Sequence, residues 1–236
     1  MQTSNLDKLR DLNGVFWERI KGLKLSPITT PRLTTKNSAL IDLSGEARKL
    51  YPQEDLISLE SMERFVSNQI KNTQKKYAYG GYLEKREWYC RNTNFTEVGK
   101  ERYIHIGVDI WMPPATPILA PLAGVVHSFR DNNAVGDYGP TIILQHQIDS
   151  LSFYTLYGHL SKSSLNNLKQ GNKIKGGEKF CEIGNPKENG AWPAHLHLQI
   201  ILEVGEAKGD YPGVCGEKTL EYYSLNCPNP IYFIID

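Results

Sequence analysis

The sequence predicts a mainly β protein: an antiparallel two-sheet or partly open barrel domain, preceded by an N-terminal α-containing extension. Three observations carry this reading. From residue 103 onward, short β-branched and aromatic runs alternate with Gly and Pro at the spacing of strands and turns. Apolar residues with helical period are confined to the first third of the chain. The 236 residues, 40% hydrophobic and 22% charged, suit one globular domain with a substantial extension.

The elements follow in order. Leu9, Leu12, Val15, Phe16, Ile20 and Leu23 recur with helical spacing and predict a helix over about 6–23. Leu59, Met62, Phe65, Val66 and Ile70 predict a second over about 58–73, with Ser58 as its N-cap. Residues 26–36, rich in Pro and Thr, read as a linker or extended arm, and 38–43 as a short strand. Tyr77, Tyr79, Tyr82, Trp88 and Tyr89 around Gly80-Gly81 suggest a hairpin. Strands are expected at 103–106, 117–119, 123–130, 140–147, 152–157, 178–183 and 195–204, with one helical turn at 164–168. The chain thus divides into a helical and extended segment, 1–76, and a β domain, 77–236.

Several function classes are excluded early. A net charge of +1 argues against a dedicated nucleic-acid or polybasic membrane binder. No stretch approaches the ~20 apolar residues of a membrane span. Residues 1–8 lack the basic-then-apolar pattern of an export leader, so a cytoplasmic location is expected, or an exported one if a leader has been removed. Cys90, Cys181, Cys215 and Cys227 form no C-x-x-C pair; thiols are the default reading and a Cys215–Cys227 bridge the alternative.

All six histidines lie in the β-rich part. His195-Leu196-His197 sits in an extended apolar segment, where residues i and i+2 share one face about 6.6 Å apart. Both rings can enter one cleft while Leu196 and Leu198 pack on the other side. His105 and Asp109 are about 13 Å apart on a straight strand, too far to share an ion. Gly107 between them permits a bend that brings them together. His159 follows Gly158 at the end of an apolar run and is free to face a cleft. His127 and His146 have no partner nearby in sequence and read as structural. An imidazole–carboxylate set with an open position is the ligand chemistry of a catalytic zinc site.

These motifs resemble the lysostaphin-type zinc metallopeptidases. The family order is H-x-G-x-D, then Gly-His-Leu-Ser, then H-x-H. Here it reads His105-Ile106-Gly107-Val108-Asp109, Gly158-His159-Leu160-Ser161 and His195-Leu196-His197. The resemblance covers about residues 100–205. It implies a β domain of the duplicated-hybrid-motif type and one zinc ion held by His105, Asp109 and His197. It further implies that His159 and His195 line the open side: one to take a proton from water or steer hydroxide, the other to stabilise the oxyanion or protonate the leaving amine. The reaction implied is hydrolysis of a peptide bond, with peptidoglycan cross-bridges as the family's substrate. Residues 82–89 and 209–214 look like the flanks of a subgroup often fused to other modules. The rival reading is a silent or latent binding module of the same fold, or a hydrolase of an intracellular peptide or other amide. Residues 1–76 are candidates to cover the groove or to join two copies. Tyr103, Trp111, Tyr138 and Trp192, close to the motifs, read as core or cleft wall.

Overall fold

The computed structural model describes residues 2–49, 58–86, 89 and 101–235. Helix α1 spans Gln2–Ile20; β1 is Ser38–Leu40, α2 Gly45–Lys49, α3 Leu59–Thr73 and β2 Tyr77–Gly80. Then follow β3 Ile104–His105, β4 Val108–Trp111, β5 Pro117–Leu119, β6 Gly124–Asn132, β7 Gly139–Ile148 and β8 Leu151–Gly158. After them come β9 Lys173–Ile174, β10 Lys179–Glu182, β11 Leu196–Ile201, β12 Val214–Cys215 and α4 Leu220–Asn226. The main sheet has eight strands in the order β1-β2-β4-β11-β8-β7-β6-β9, and two ribbons, β10-β5 and β12-β3, accompany it. β1 and β2 are parallel while the other pairs are antiparallel, so the sheet is mixed. The protein is mainly β, as predicted, and the large sheet does not close into a barrel.

The sheet buries a continuous apolar layer that includes Val108, Ile110, Leu144, Leu196, Leu198 and Ile200. Each such side chain contributes roughly 1.5–3 kcal/mol on burial. Phe16 and Ile20 of α1 enter this layer, and Phe16 meets Phe153 edge-on at 5.2 Å. Val15, on the helical stripe by sequence, is instead exposed, because the buried face of α1 is narrower than the apolar stripe. α3 begins as predicted: Ser58 accepts a hydrogen bond from the Ser61 amide at 3.2 Å, and Met62, Phe65 and Val66 are buried. They pack with Ile41, Ala78, Trp111 and Tyr89 in a second cluster.

Some expectations change. Gly80-Gly81 starts no hairpin, since β2 lies between β1 and β4, its two neighbours; the chain does turn at 81–84, where the Glu84 amide donates to the Gly81 carbonyl at 3.1 Å. A Cβ on Gly80 would strike the Ile41 carbonyl, so that glycine serves close strand packing. Trp88 and Cys90 lie outside the described residues. The turn expected at 164–168 is a 3₁₀ segment, Lys162–Leu165, and α2, α4 and the short strands β4, β9 and β12 carry too little periodicity to be anticipated. Cys181, Cys215 and Cys227 are buried and free, so the alternative Cys215–Cys227 bridge is not formed.

Candidate metal centre

Strand register builds the site. Asp109 on β4 stands directly opposite His197 on β11, and Gly158 at the end of β8 stands opposite His197 on the other side. Three distant segments therefore meet at one end of the sheet. β3 ends at His105, β4 starts at Val108, and the chain bends between them. That bend brings His105 Nε2 to 3.3 Å from Asp109 Oδ1. Gly107 has no positive φ; glycine is required there because a Cβ would lie 2.5 Å from the His197 ring. His159, one residue past Gly158, takes φ +61, a strained value for a non-glycine residue that turns its ring back toward the cleft.

Three atoms form a tight triangle. His105 Nε2 and His197 Nδ1 are 2.9 Å apart, and Asp109 Oδ1 lies 3.3 Å from the first and 3.2 Å from the second. Among the described residues this is the one group of three or more such side chains able to hold a metal ion. Tetrahedral zinc with bonds of about 2.0–2.2 Å needs ligand atoms separated by about 3.3–3.5 Å. The donor set, two imidazole nitrogens and a carboxylate oxygen, fits that ion.

The remaining atom of each ring is already engaged. His105 Nδ1–H donates to the Gly81 carbonyl at 2.9 Å, and His197 Nε2–H donates to Gln199 Oε1 at 3.0 Å. Each therefore keeps its lone pair on the nitrogen that faces the triangle. Gln199 is itself oriented by donating through Nε2 to the Pro212 carbonyl at 3.1 Å.

His159 and His195 complete the group. Their ring centroids are 4.2 Å apart, and His195 Nε2 is 3.7 Å from Asp109 Oδ1. His195 Nδ1–H donates to the Pro193 carbonyl at 2.6 Å and His159 Nδ1–H to the Asn189 carbonyl at 2.8 Å. Both rings are thereby set with Nε2 free as an acceptor. Trp111 stacks on His195 with centroids 5.9 Å apart and planes 21° apart. The structure thus brings all five predicted side chains together, each at most 6% exposed.

Burial lowers the pKa of His105 to about 4, working against the pull of Asp109. Burial likewise lowers His195, and burial together with His195 holds His159 well below the usual imidazole range. Burial raises the Asp109 carboxyl, but the charges of His105 and Arg86 outweigh it and hold it well below the usual carboxylate range.

A cleft of about 220 Å³ opens over the group, and all its described lining residues lie at 89 or beyond. Tyr138 and Trp192 are on its wall, as the sequence suggests; the Tyr138 hydroxyl is 3.4 Å from His197 Nε2. Trp111 backs His195, while the Tyr103 hydroxyl turns to Glu217 at 3.2 Å, away from this lining. His127 is the extra residue of a bulge in β6, beside Ser128, and His146 is buried between Ala123 and Thr155; neither joins the group.

Residues 103–208 match the model of peptidase family M23. Over that stretch the protein resembles the lysostaphin-type metallopeptidases, and the match supports a peptidase, hence a hydrolase. A curated relative, an uncharacterized metalloprotease of Buchnera aphidicola subsp. Baizongia pistaciae, is 32% identical over 108 residues, 46% of this chain and 26% of the relative. The match therefore spans about a quarter of that relative's length. Among solved structures, the antimicrobial peptidase lysostaphin from Staphylococcus simulans is 26% identical, covering 55% of this chain and 43% of its own, with a TM-score of 0.37. A zinc containing peptidase from Vibrio cholerae is 26% identical, covering 42% and 27%, with a TM-score of 0.34.

Sequence reasoning misses Glu84, Arg86 and Gln199. Gln199 is within its reach, since position i+2 from His197 lies on the same strand face. Arg86 has no spacing to mark it: the contact with Asp109 crosses 23 residues.

Proposed function

We propose that the protein is a zinc-dependent endopeptidase that hydrolyses a peptide amide, with the peptides of peptidoglycan as the substrate class. The observation that carries the proposal is the triangle of His105 Nε2, Asp109 Oδ1 and His197 Nδ1 beneath a cleft that two further histidines face. His105, Asp109 and His197 would hold the ion. When bound, zinc polarises the scissile carbonyl and acidifies water.

The other steps belong to side chains. His195 and His159 each hold their proton on Nδ1 against a backbone carbonyl, so each Nε2 can accept a proton from the attacking water. A ring that has accepted one becomes an Nε2–H donor and can stabilise the tetrahedral oxygen or pass the proton to the leaving amine. The backbone anchors at Pro193 and Asn189 keep both rings aimed while this happens. The described lining of the cleft holds no glutamate; besides Asp109 its carboxylates are Asp137 and Asp210, and the proton traffic is assigned to the histidine pair because their rings stand beside the triangle with Nε2 free.

The test is digestion of purified sacculi and a peptide library by the zinc-loaded protein, with products read by mass spectrometry. Cleaved amide bonds with new amine and carboxylate ends are expected. Uptake of less than about half an equivalent of zinc would count against a three-ligand site, and absence of cleavage in both substrates by fully loaded protein would refute the enzymatic reading.

A further inference from the structure

Beneath the triangle lies a second charged layer. The Arg86 side chain is 2% exposed. Its Nε donates to Glu84 Oε1 at 2.6 Å, and its Nη1 donates to Asp109 Oδ2 at 2.7 Å and to the Tyr89 hydroxyl at 2.6 Å. The two oxygens of Asp109 are thus divided: Oδ2 belongs to Arg86, and Oδ1 faces three histidines.

We propose that Arg86 is a positioning residue that restricts Asp109 to a single coordinating oxygen, and that Glu84 cancels the positive charge Arg86 would otherwise present to the ion. The inference rests on the metal-site reading above. A carboxylate with both oxygens free can chelate a cation through the pair, and the second bond would take the position a substrate needs. A charge-assisted hydrogen bond of 2.7 Å on Oδ2 withholds that oxygen. Partners of this kind orient metal ligands generally.

Glu84 answers the difficulty that follows. A guanidinium one carboxylate away from a divalent cation repels it, and the buried setting screens that repulsion poorly. With Glu84 paired to Arg86, the Glu84–Arg86–Asp109 set carries one net negative charge, and Asp109 keeps its attraction for the ion. The Leu43 amide donates to the other Glu84 oxygen at 2.9 Å, so the segment after β1 helps fix this layer. Among the described residues, Arg86 Nη2 is buried without a hydrogen bond partner.

The experiment titrates Zn²⁺ and Co²⁺ into metal-stripped wild type, Arg86→Met, Arg86→Lys and Glu84→Gln. Fold is checked by near-ultraviolet circular dichroism. For Arg86→Met the visible Co²⁺ band is expected to weaken as the carboxylate becomes bidentate, and the zinc affinity to rise about tenfold or more, because the repelling guanidinium is gone and a second oxygen is freed. Arg86→Lys should restore the band in part. Glu84→Gln should lower affinity with the band shape kept, because it alters charge and not geometry. Folded Arg86→Met with wild-type affinity and spectrum overturns the proposal. If Arg86→Met fails to fold, Arg86→Lys and Glu84→Gln decide: wild-type affinity and spectrum in both overturn it. Wild type that binds neither ion overturns the metal-site reading and this inference with it, whereas normal wild-type binding with unchanged variants overturns the inference alone.

Discussion

The fold buries histidines in two places, and the contrast between them separates a site from a core. At the end of the sheet, His105 Nε2 and His197 Nδ1 turn lone pairs toward each other across 2.9 Å with a carboxylate alongside. On β7, His146 is equally buried at 1% exposed, but Nδ1–H donates to the Ala123 carbonyl at 3.0 Å and Nε2 meets the Thr155 hydroxyl at 2.7 Å. Neither nitrogen of His146 is left over. Burial by itself therefore does not mark a functional histidine. What marks the first group is that each ring spends one nitrogen on a fixed partner and directs the other to a common point.

The strongest way to break this comparison is Asp109→Ala. Metal analysis should show zinc lost and peptide cleavage at background, while His146→Gln keeps both. His195→Ala comes next. Zinc content should stay at the wild-type level while kcat falls by about 10²–10⁴-fold, the usual worth of a positioned acid–base group. Near-normal turnover in that variant would remove His195 from the chemistry.

The third effect belongs to the core histidine. Burial lowers the pKa of His146 to about 4 from 6.5. Above pH 6.5 neither the folded nor the unfolded chain protonates it. As pH falls below 6.5 the unfolded chain takes up a proton that the folded chain refuses, and stability is lost, by about 3 kcal/mol at pH 4. Urea denaturation at pH 7 and pH 4 should show a smaller acid loss in His146→Gln than in wild type; equal losses would refute the assignment.

Two glycines sharpen the contrast at lower energies. Ala at Gly107 would press on the His197 ring from 2.5 Å, so Gly107→Ala should cost about 1–3 kcal/mol and weaken zinc binding. At Gly14, in α1, a Cβ would meet nothing within 4 Å, so Gly14→Ala should stabilise by about 0.5–1 kcal/mol with zinc affinity unchanged. Thermal and chemical denaturation beside metal titration reads both.

Much of the site and the fold is legible in local sequence. His195 and His197 are two apart, and a strand repeats every two residues, so local geometry alone places both on one face. Ser58 and the apolar spacing behind it are enough to start α3, because a cap and a stripe are local properties as well. The double glycine at 80–81 misleads in part for the same reason: Gly81 does open a turn, but Gly80 is there for a close strand contact, and that depends on Ile41, far along the chain.

What the sequence by itself determined is the set of ligand-type residues, their order and the β scaffold that carries them, since periodicity and motif spacing are short-range facts. Only the tertiary structure decided that Asp109 stands opposite His197, that Gly81, Pro193 and Asn189 fix the imidazole tautomers, and that Arg86 and Glu84 lie beneath the carboxylate. Those contacts join residues brought together by strand register and chain reversal, and no local pattern encodes which distant backbone carbonyl or guanidinium will arrive.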